Sequence, residues 1–190
     1  MGPDNPPCPA CSEPLFGWLT TPWDADLLVL RCERCGLASV GSPQDAREIR
    51  RELARDRVDE ARPLIGNRAS LAAWIGAAAW APLEPGVRSL LTPEALSRLD
   101  APGVSRGRWA PGPGVVGMWQ TLLNTFTFGR NLALARLGRA TATPAAKPWQ
   151  RRLDVVITFS TAGPLALVAV LLELAGGAAG KGGVLRLGGD

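Results

Sequence analysis

Apolar and polar positions form contrasting patterns along this chain. The apolar run Leu27-Leu28-Val29-Leu30 predicts a strand. Residues 44–62 are instead dense in Arg, Glu and Asp at helical spacing after the start signal Ser42-Pro43, which predicts a charged helix with a solvated face. Further elements are predicted as helices at 71–80, 92–99, 116–126 and 131–137 and a strand at 104–109. The pattern therefore indicates a mixture of helices and short strands.

The most apolar stretch lies near the C-terminus. Residues 155–172 carry no charge, and eighteen such positions are long enough to raise the question of a transmembrane helix. Ser160-Thr161-Ala162-Gly163-Pro164 interrupts the run and predicts a break at which Pro164 starts a new helix. We therefore favour buried core, while Arg151 and Arg152 at one end keep a membrane span as the alternative. The core interpretation comprises a segment at 155–159, a helix at 164–175, a stop at Gly176-Gly177 and a strand at 184–187.

Composition limits the chemistry that the chain can perform. With 190 residues, 46% of them apolar, the chain can bury a core, and its net charge of +4 is spread along the sequence, so it supports a nucleic-acid partner only weakly. The chain has no histidine and no tyrosine, which excludes imidazole acid–base chemistry and Ser-His or Cys-His nucleophile pairs. Catalysis would need a carboxylate, a lysine or a cofactor. Glu84 and Glu94 are the carboxylate candidates.

All four cysteines fall in two CxxC pairs, Cys8/Cys11 and Cys32/Cys35, separated by a twenty-residue insert. This spacing is typical of a four-cysteine zinc ribbon. Each pair brings two thiolates onto one ion, in a turn that directs backbone N–H groups at the sulfurs, and Gly36 can supply the positive φ of such a turn. Because four cysteines fill a tetrahedral zinc, we predict a structural site and disfavour an open catalytic zinc or a redox dithiol.

The surroundings of the cysteines suggest a location and a charge balance. Residues 1–7 are polar and rich in proline and lack the layout of a signal peptide, so we predict a cytoplasmic protein with reduced thiols. Four thiolates around Zn²⁺ leave a net charge of −2. Arg31 and Arg34 are predicted to offset part of it.

Two sets of residues together suggest a family. The first is Cys-Pro-Ala-Cys at 8–11 with Val-Leu-Arg-Cys-Glu-Arg-Cys-Gly-Leu at 29–37, followed by Pro43. The second runs from Asn67 to the C-terminus and contains, in order, segments at 67–71, 80–85, 91–96, 117–124 and 181–185. In this order the segments resemble class I SAM-dependent methyltransferases that begin with a zinc ribbon.

The resemblance implies a shortened methyltransferase relative. Such enzymes carry a Rossmann-like half with a glycine-rich loop between the two sets, whereas residues 44–61 are all that separate Pro43 from Arg62 here. We therefore expect little or no activity, assign no SAM-binding residues and do not expect SAM to bind. The expected fold is α+β, with a zinc ribbon at 1–41, a charged helical linker at 42–62 and a helix-rich remnant of the α/β methyltransferase fold at 63–190.

Other classes of function stay open. The ribbon can serve as a module that docks a protein or a nucleic acid, and the apolar C-terminal part can form a homo-oligomer contact. Attachment to a membrane through residues 155–172 is the third alternative.

Overall fold

The computed structural model describes residues 5–59, 64–83, 85–100, 106–138, 142, 145 and 147–188. Within these ranges the chain is a mixture of helices and strands, which agrees with the predicted α+β class. The strands are β1 (Leu15–Thr20), β2 (Leu28–Cys32), β3 (Ala38–Val40), β4 (Leu64–Gly66), β5 (Ser89–Leu90), β6 (Arg106–Trp109) and β7 (Val184–Gly188). The helices are α1 (Ala46–Asp59), α2 (Leu71–Gly76) with a 3₁₀ turn at Ala77–Ala79, α3 (Pro93–Leu99), α4 (Pro111–Phe126), α5 (Leu132–Arg136) and α6 (Pro148–Ala178).

The first sheet has the order β1-β2-β3-β5, and its strand pairs are antiparallel. Pairing of Leu15 with Cys32 sets the β1–β2 register and brings the two CxxC turns to the same end of the sheet. The fourth strand comes from much later in the sequence, because Ser89 of β5 pairs with Ser39 of β3. The cysteine-bearing sheet is therefore completed by a strand that lies beyond the predicted ribbon at 1–41.

The second sheet has the order β4-β7-β6 and is also antiparallel. Its central strand β7 carries the buried Leu185, which belongs to the same core cluster as the cysteines. Among the described strands, parallel contact is limited to an isolated bridge between Asn67 and Leu91.

The predicted charged helix is present as α1. The Asp45 carboxylate accepts a hydrogen bond from the Glu48 N–H (2.8 Å), which satisfies one of the free donors at the start of the helix. Ile49 and Leu53, four residues apart, are buried against the core cluster that contains the cysteines. One face of the helix is therefore packed, and the charged residues lie on its other faces. The segment therefore packs as part of the fold.

The other predicted elements are present with shifted ends. Thr92 caps α3 as predicted, since its hydroxyl accepts a hydrogen bond from the Ala95 N–H (3.0 Å) and Pro93 occupies the first helical position. Helix α4 starts at Pro111, earlier than the predicted residue 116. Strand β6 covers 106–109, and residues 104 and 105 of that prediction lie outside the described residues.

The predicted break at Pro164 was wrong, because α6 runs unbroken through it for 31 residues. The Trp119 Nε1–H donates to the Ala162 carbonyl (2.9 Å) from α4, and the Ser160 and Thr161 hydroxyls donate to carbonyls of the preceding turn. Helix–helix packing thus holds the segment in spite of the proline. The preference for buried core was also wrong, since only 6% of the most apolar 18-residue window of α6 is buried.

Candidate metal centre and an exposed apolar helix face

The four predicted cysteines meet at one end of the first sheet. Their sulfur atoms all lie within 4.8 Å of one another, with separations of 3.4 Å for Cys11–Cys32, 3.6 Å for Cys8–Cys35 and 3.7 Å for Cys11–Cys35. A tetrahedral ion with metal–sulfur bonds of about 2.3 Å would separate its sulfurs by about 3.8 Å. The cluster is therefore close to the arrangement of a four-thiolate site and can hold a metal ion.

Both CxxC turns direct backbone N–H groups at sulfur, as predicted. The Cys8 sulfur accepts from the N–H groups of Ala10 and Cys11, and the Cys32 sulfur accepts from those of Arg34 and Cys35. The donors stand two and three residues after the acceptor in each case. The two turns therefore present nearly the same local environment to an ion between them.

Each turn closes on a residue in the left-handed region. The Ser12 N–H donates to the Cys8 carbonyl (2.8 Å) and the Gly36 N–H donates to the Cys32 carbonyl (3.1 Å). Gly36 has a φ of 73°, which confirms the prediction, and Ser12 adopts 63° without the freedom of glycine. The Thr92 hydroxyl that caps α3 also donates to the Cys35 carbonyl, so it joins the second turn to the start of α3.

Burial has the largest effect on the pKa values of Cys8 and Cys35. It raises the pKa of Cys8 to about 11 and also raises the pKa of Cys35. Burial opposes ionisation of Cys32 as well, but N–H donation from Cys35, a hydrogen bond with the Cys11 thiol and N–H donation from Arg34 together outweigh it and lower the Cys32 pKa. A bound cation would have to displace the remaining protons, so metal binding releases protons.

One of the two cations predicted to offset the charge of the site, Arg34, has an acidic partner at the surface. Arg34 forms an ion pair with Glu13 (2.8 Å) at the surface, so its charge is already partly offset. Glu94, a candidate carboxylate, is exposed on the first turn of α3 and pairs with Arg98 (2.7 Å). Glu84, the other candidate, lies outside the described residues.

Two buried carboxylates that were not singled out from the sequence hold α6 at its two ends. The Asp154 carboxylate accepts from the N–H groups of Phe128 and Gly129, both at 2.8 Å. Glu173 Oε1 accepts from the Trp109 indole N–H and the Gly183 N–H, both at 2.7 Å. A sequence signal was available, since these acids bound the charge-free run 155–172 on either side.

The side of α6 that turns away from the protein is apolar. We call it the outer face and define it by five exposed side chains, which are Val156, Phe159, Leu167, Leu171 and Leu174. Leu167 is 71% exposed and Leu171 69% exposed. In the described part of the chain, α6 is the one helix long and apolar enough to cross a membrane. A monomer rarely leaves so continuous an apolar surface in water, which marks the face as a contact site.

No protein family model, no curated protein and no solved structure matches this chain. The methyltransferase relation therefore stays a prediction.

Proposed function

We propose that this protein is a zinc-ribbon domain that attaches to the surface of an anionic membrane through the outer face of α6. The observation that carries the proposal is the exposure of that face along a helix whose opposite side is packed on the fold. An exposed apolar helix face with basic residues at one end can bury its apolar side chains at the membrane interface while the basic residues contact the headgroups.

The metal part of the proposal rests on the donor set. Four cysteine sulfurs and no histidine favour zinc, and four protein ligands leave no coordination position for water or a substrate. Cys8, Cys11, Cys32 and Cys35 would hold the ion, which would supply folding energy to the ribbon. Reduced thiols suit the cytoplasmic side of a membrane, consistent with the predicted location.

The distribution of charge favours an anionic lipid surface over a second copy of this chain. Arg151 and Arg152 are exposed at the start of α6, Lys147 precedes it, and Arg136 lies over the Phe159 ring with 5.1 Å between the guanidinium carbon and the ring centre. The two acids of α6, Asp154 and Glu173, are both buried. The exposed charges of α6 are thus all positive, which attracts acidic headgroups and repels an identical face.

Attachment along the surface is favoured over crossing because the fold holds α6 at three points. Asp154 near its start, the Ala162 carbonyl in its middle and Glu173 near its end all accept hydrogen bonds from other elements. Asp154 and Glu173 are about 28 Å apart along a helix. A spanning orientation would draw α4 and its buried polar side chains Gln120 and Asn124 into the bilayer along with α6.

Flotation with lipid vesicles tests the proposal. We expect the zinc-loaded protein to float with vesicles containing phosphatidylserine and to bind phosphatidylcholine vesicles more weakly, because the basic residues add attraction to the apolar contact. The double variant Leu167→Asn/Leu171→Asn should lose flotation. Leu64→Asn, which changes a leucine of 43% exposure on β4, is the matched control and should float normally.

Several outcomes would contradict the proposal. Equal flotation of the double variant and the control would mean that the outer face does not contact lipid. A stable dimer in sedimentation that does not bind vesicles would assign the face to a second copy. Retention of the membrane-bound protein after a carbonate wash would indicate spanning in place of surface attachment.

A further inference from the structure

Arg68 is a buried cation without an acidic partner. It is 9% exposed, and its backbone N–H donates to the Leu91 carbonyl (2.8 Å), which fixes the residue between the two sheets. Its guanidinium stacks on the Trp18 ring at 3.7 Å from the ring centre. Among the described residues no carboxylate pairs with Arg68, and its Nε atom has no hydrogen-bond acceptor.

The electrostatic environment leaves this charge unbalanced. Burial, followed by the nearby positive charge of Arg31, lowers the pKa of Arg68 to about 10, so the guanidinium still carries its charge at neutral pH. The face of Trp18 offsets part of the burial penalty through a cation–π contact. A buried charge is ordinarily paired, and Arg68 therefore has capacity for an anion.

A cavity of about 320 Å³ opens beside Arg68 and is lined by Arg68, Ala69, Ser70, Leu71, Trp74 and Lys181. Lys181 adds a second, exposed cation, and Trp74 is 79% exposed on the wall. The Ser70 hydroxyl already caps α2 by accepting from the Ala73 N–H, and the Leu71 N–H donates to the Lys181 carbonyl. The attraction for an anion would therefore come from the two cationic side chains.

We propose that this cavity binds the phosphate group of a phosphate ester. The guanidinium of Arg68 donates to the phosphate oxygens, the ammonium of Lys181 pairs with the remaining charge, and the indole of Trp74 packs against the organic part of the ester. The proposal does not rest on membrane attachment, since Arg68, Trp74 and Lys181 are not among the five residues that define the outer face of α6.

Calorimetric titration of the zinc-loaded protein with inorganic phosphate, at ionic strength held constant with chloride, tests the site. We expect saturable binding of one phosphate per chain, weakened roughly tenfold or more in Arg68→Met and by less in Lys181→Gln, because removing one partner of a charge pair leaves the other unpaired. Arg47→Gln removes an exposed cation from α1 and should bind as the unchanged protein does. If Arg68→Met does not fold, the phosphate affinity of Lys181→Gln decides the test, because Lys181 is exposed and its replacement should not affect folding.

Two further titrations identify the source of the phosphate. Glycerol 3-phosphate that binds more tightly than phosphate, with the gain lost in Trp74→Ala, would support a soluble ester. Vesicles of phosphatidic acid that bind Arg47→Gln as tightly as the unchanged protein but bind Lys181→Gln more weakly would identify a lipid headgroup.

The absence of phosphate binding beyond the chloride control would overturn the proposal, and so would equal binding by the unchanged protein and both variants. Arg68 would then be a packing residue held by Trp18. Neither result would affect flotation through Leu167 and Leu171, so the two proposals fail separately.

Discussion

The cysteine-bearing sheet and helix α6 use apolar residues in opposite ways. Around the candidate metal centre, short strands and turns bury Leu15, Leu37 and three of the four cysteines in one cluster. Helix α6 is the most apolar segment of the chain, yet most of its large apolar side chains are exposed, whereas Asp154 and Glu173 are buried. Hydrophobicity alone therefore does not tell which segment forms the core. The partners that a segment meets decide it.

The difference also separates two sources of stability. The ribbon consists of short strands that bury little area, so a metal is expected to supply what packing does not. Helix α6 is held instead by hydrogen bonds from α4, β6 and neighbouring loops to its inner side. Changes at the cysteines should therefore affect the ribbon first and α6 last.

The largest expected effect is that of Cys32→Ser or of a zinc chelator on the purified protein. Structural zinc contributes an apparent 10 kcal/mol or so in small zinc-binding peptides, roughly the whole stability of a domain. We expect ribbon amides of β1–β3 to lose protection in hydrogen exchange, while the α4–α6 pair loses least. Uniform loss of protection in both regions would show that they form a single cooperative unit.

Ser39→Ala is the control for the ribbon. Ser39 is fully buried on β3, and its hydroxyl has no hydrogen-bond partner. Removal of an unpaired buried hydroxyl should leave stability unchanged or raise it slightly. A loss comparable to that of Cys32→Ser would mean that any change in this small sheet unfolds it, and the metal argument would lose its basis.

The two faces of α6 give the second contrast. Ala169→Leu inserts a larger side chain where Ala169 is 0% exposed against the core, and we expect a loss of about 2 to 3 kcal/mol in urea unfolding. Leu167→Ala, two residues away on the outer face, should change the free energy of unfolding by less than about 0.5 kcal/mol. A large loss for Leu167→Ala would show that the outer face is covered in solution, which sedimentation would then detect as a dimer.

The second cysteine turn gives a smaller effect. Gly36→Ala places a side chain at a φ of 73° and a Cβ at 2.9 Å from Thr92 Cγ2, so we expect a loss of about 2 kcal/mol. Combination with Thr92→Ser removes the crowding methyl group and keeps the hydroxyl that bonds Cys35 and Ala95. The double variant should recover part of the loss in thermal unfolding. Failure to recover would assign the whole effect to the backbone.

Sequence patterns predicted the features that depend on local contacts. The cysteine turns, the positive φ of Gly36 and the Thr92 cap each involve residues within four positions of one another, so spacing alone indicates them. Pairing of β3 with β5 joins residues fifty positions apart, and no local pattern specifies it.

The features that the sequence did not predict are decided by tertiary packing. Helix α6 continues through Pro164, next to a hydrogen bond from the Trp119 indole to the Ala162 carbonyl, 43 positions away in the sequence. Arg68, in the turn after β4, is buried where its guanidinium stacks against Trp18 of β1. Proline alone favours a helix break, and arginine alone favours exposure. At Pro164 and Arg68, tertiary packing overrides these preferences.

The smallest expected effect is that of Ser12→Gly, which compares the two cysteine turns directly. Unlike Cys32→Ser and Gly36→Ala, it should raise the free energy of unfolding. Ser12 holds the position in the first turn that Gly36 holds in the second, but at a φ of 63° it lacks the freedom of glycine. Ser12→Gly removes that strain and adds freedom to the unfolded chain, which offsets part of the gain, so we expect a net stabilisation of about 0.5 kcal/mol. Competition with a zinc chelator should also show slightly tighter retention. Ser12→Ala keeps the strain and should show neither change, and a loss of zinc in Ser12→Gly would mean that the exposed serine side chain, and not only the backbone of the turn, supports the site.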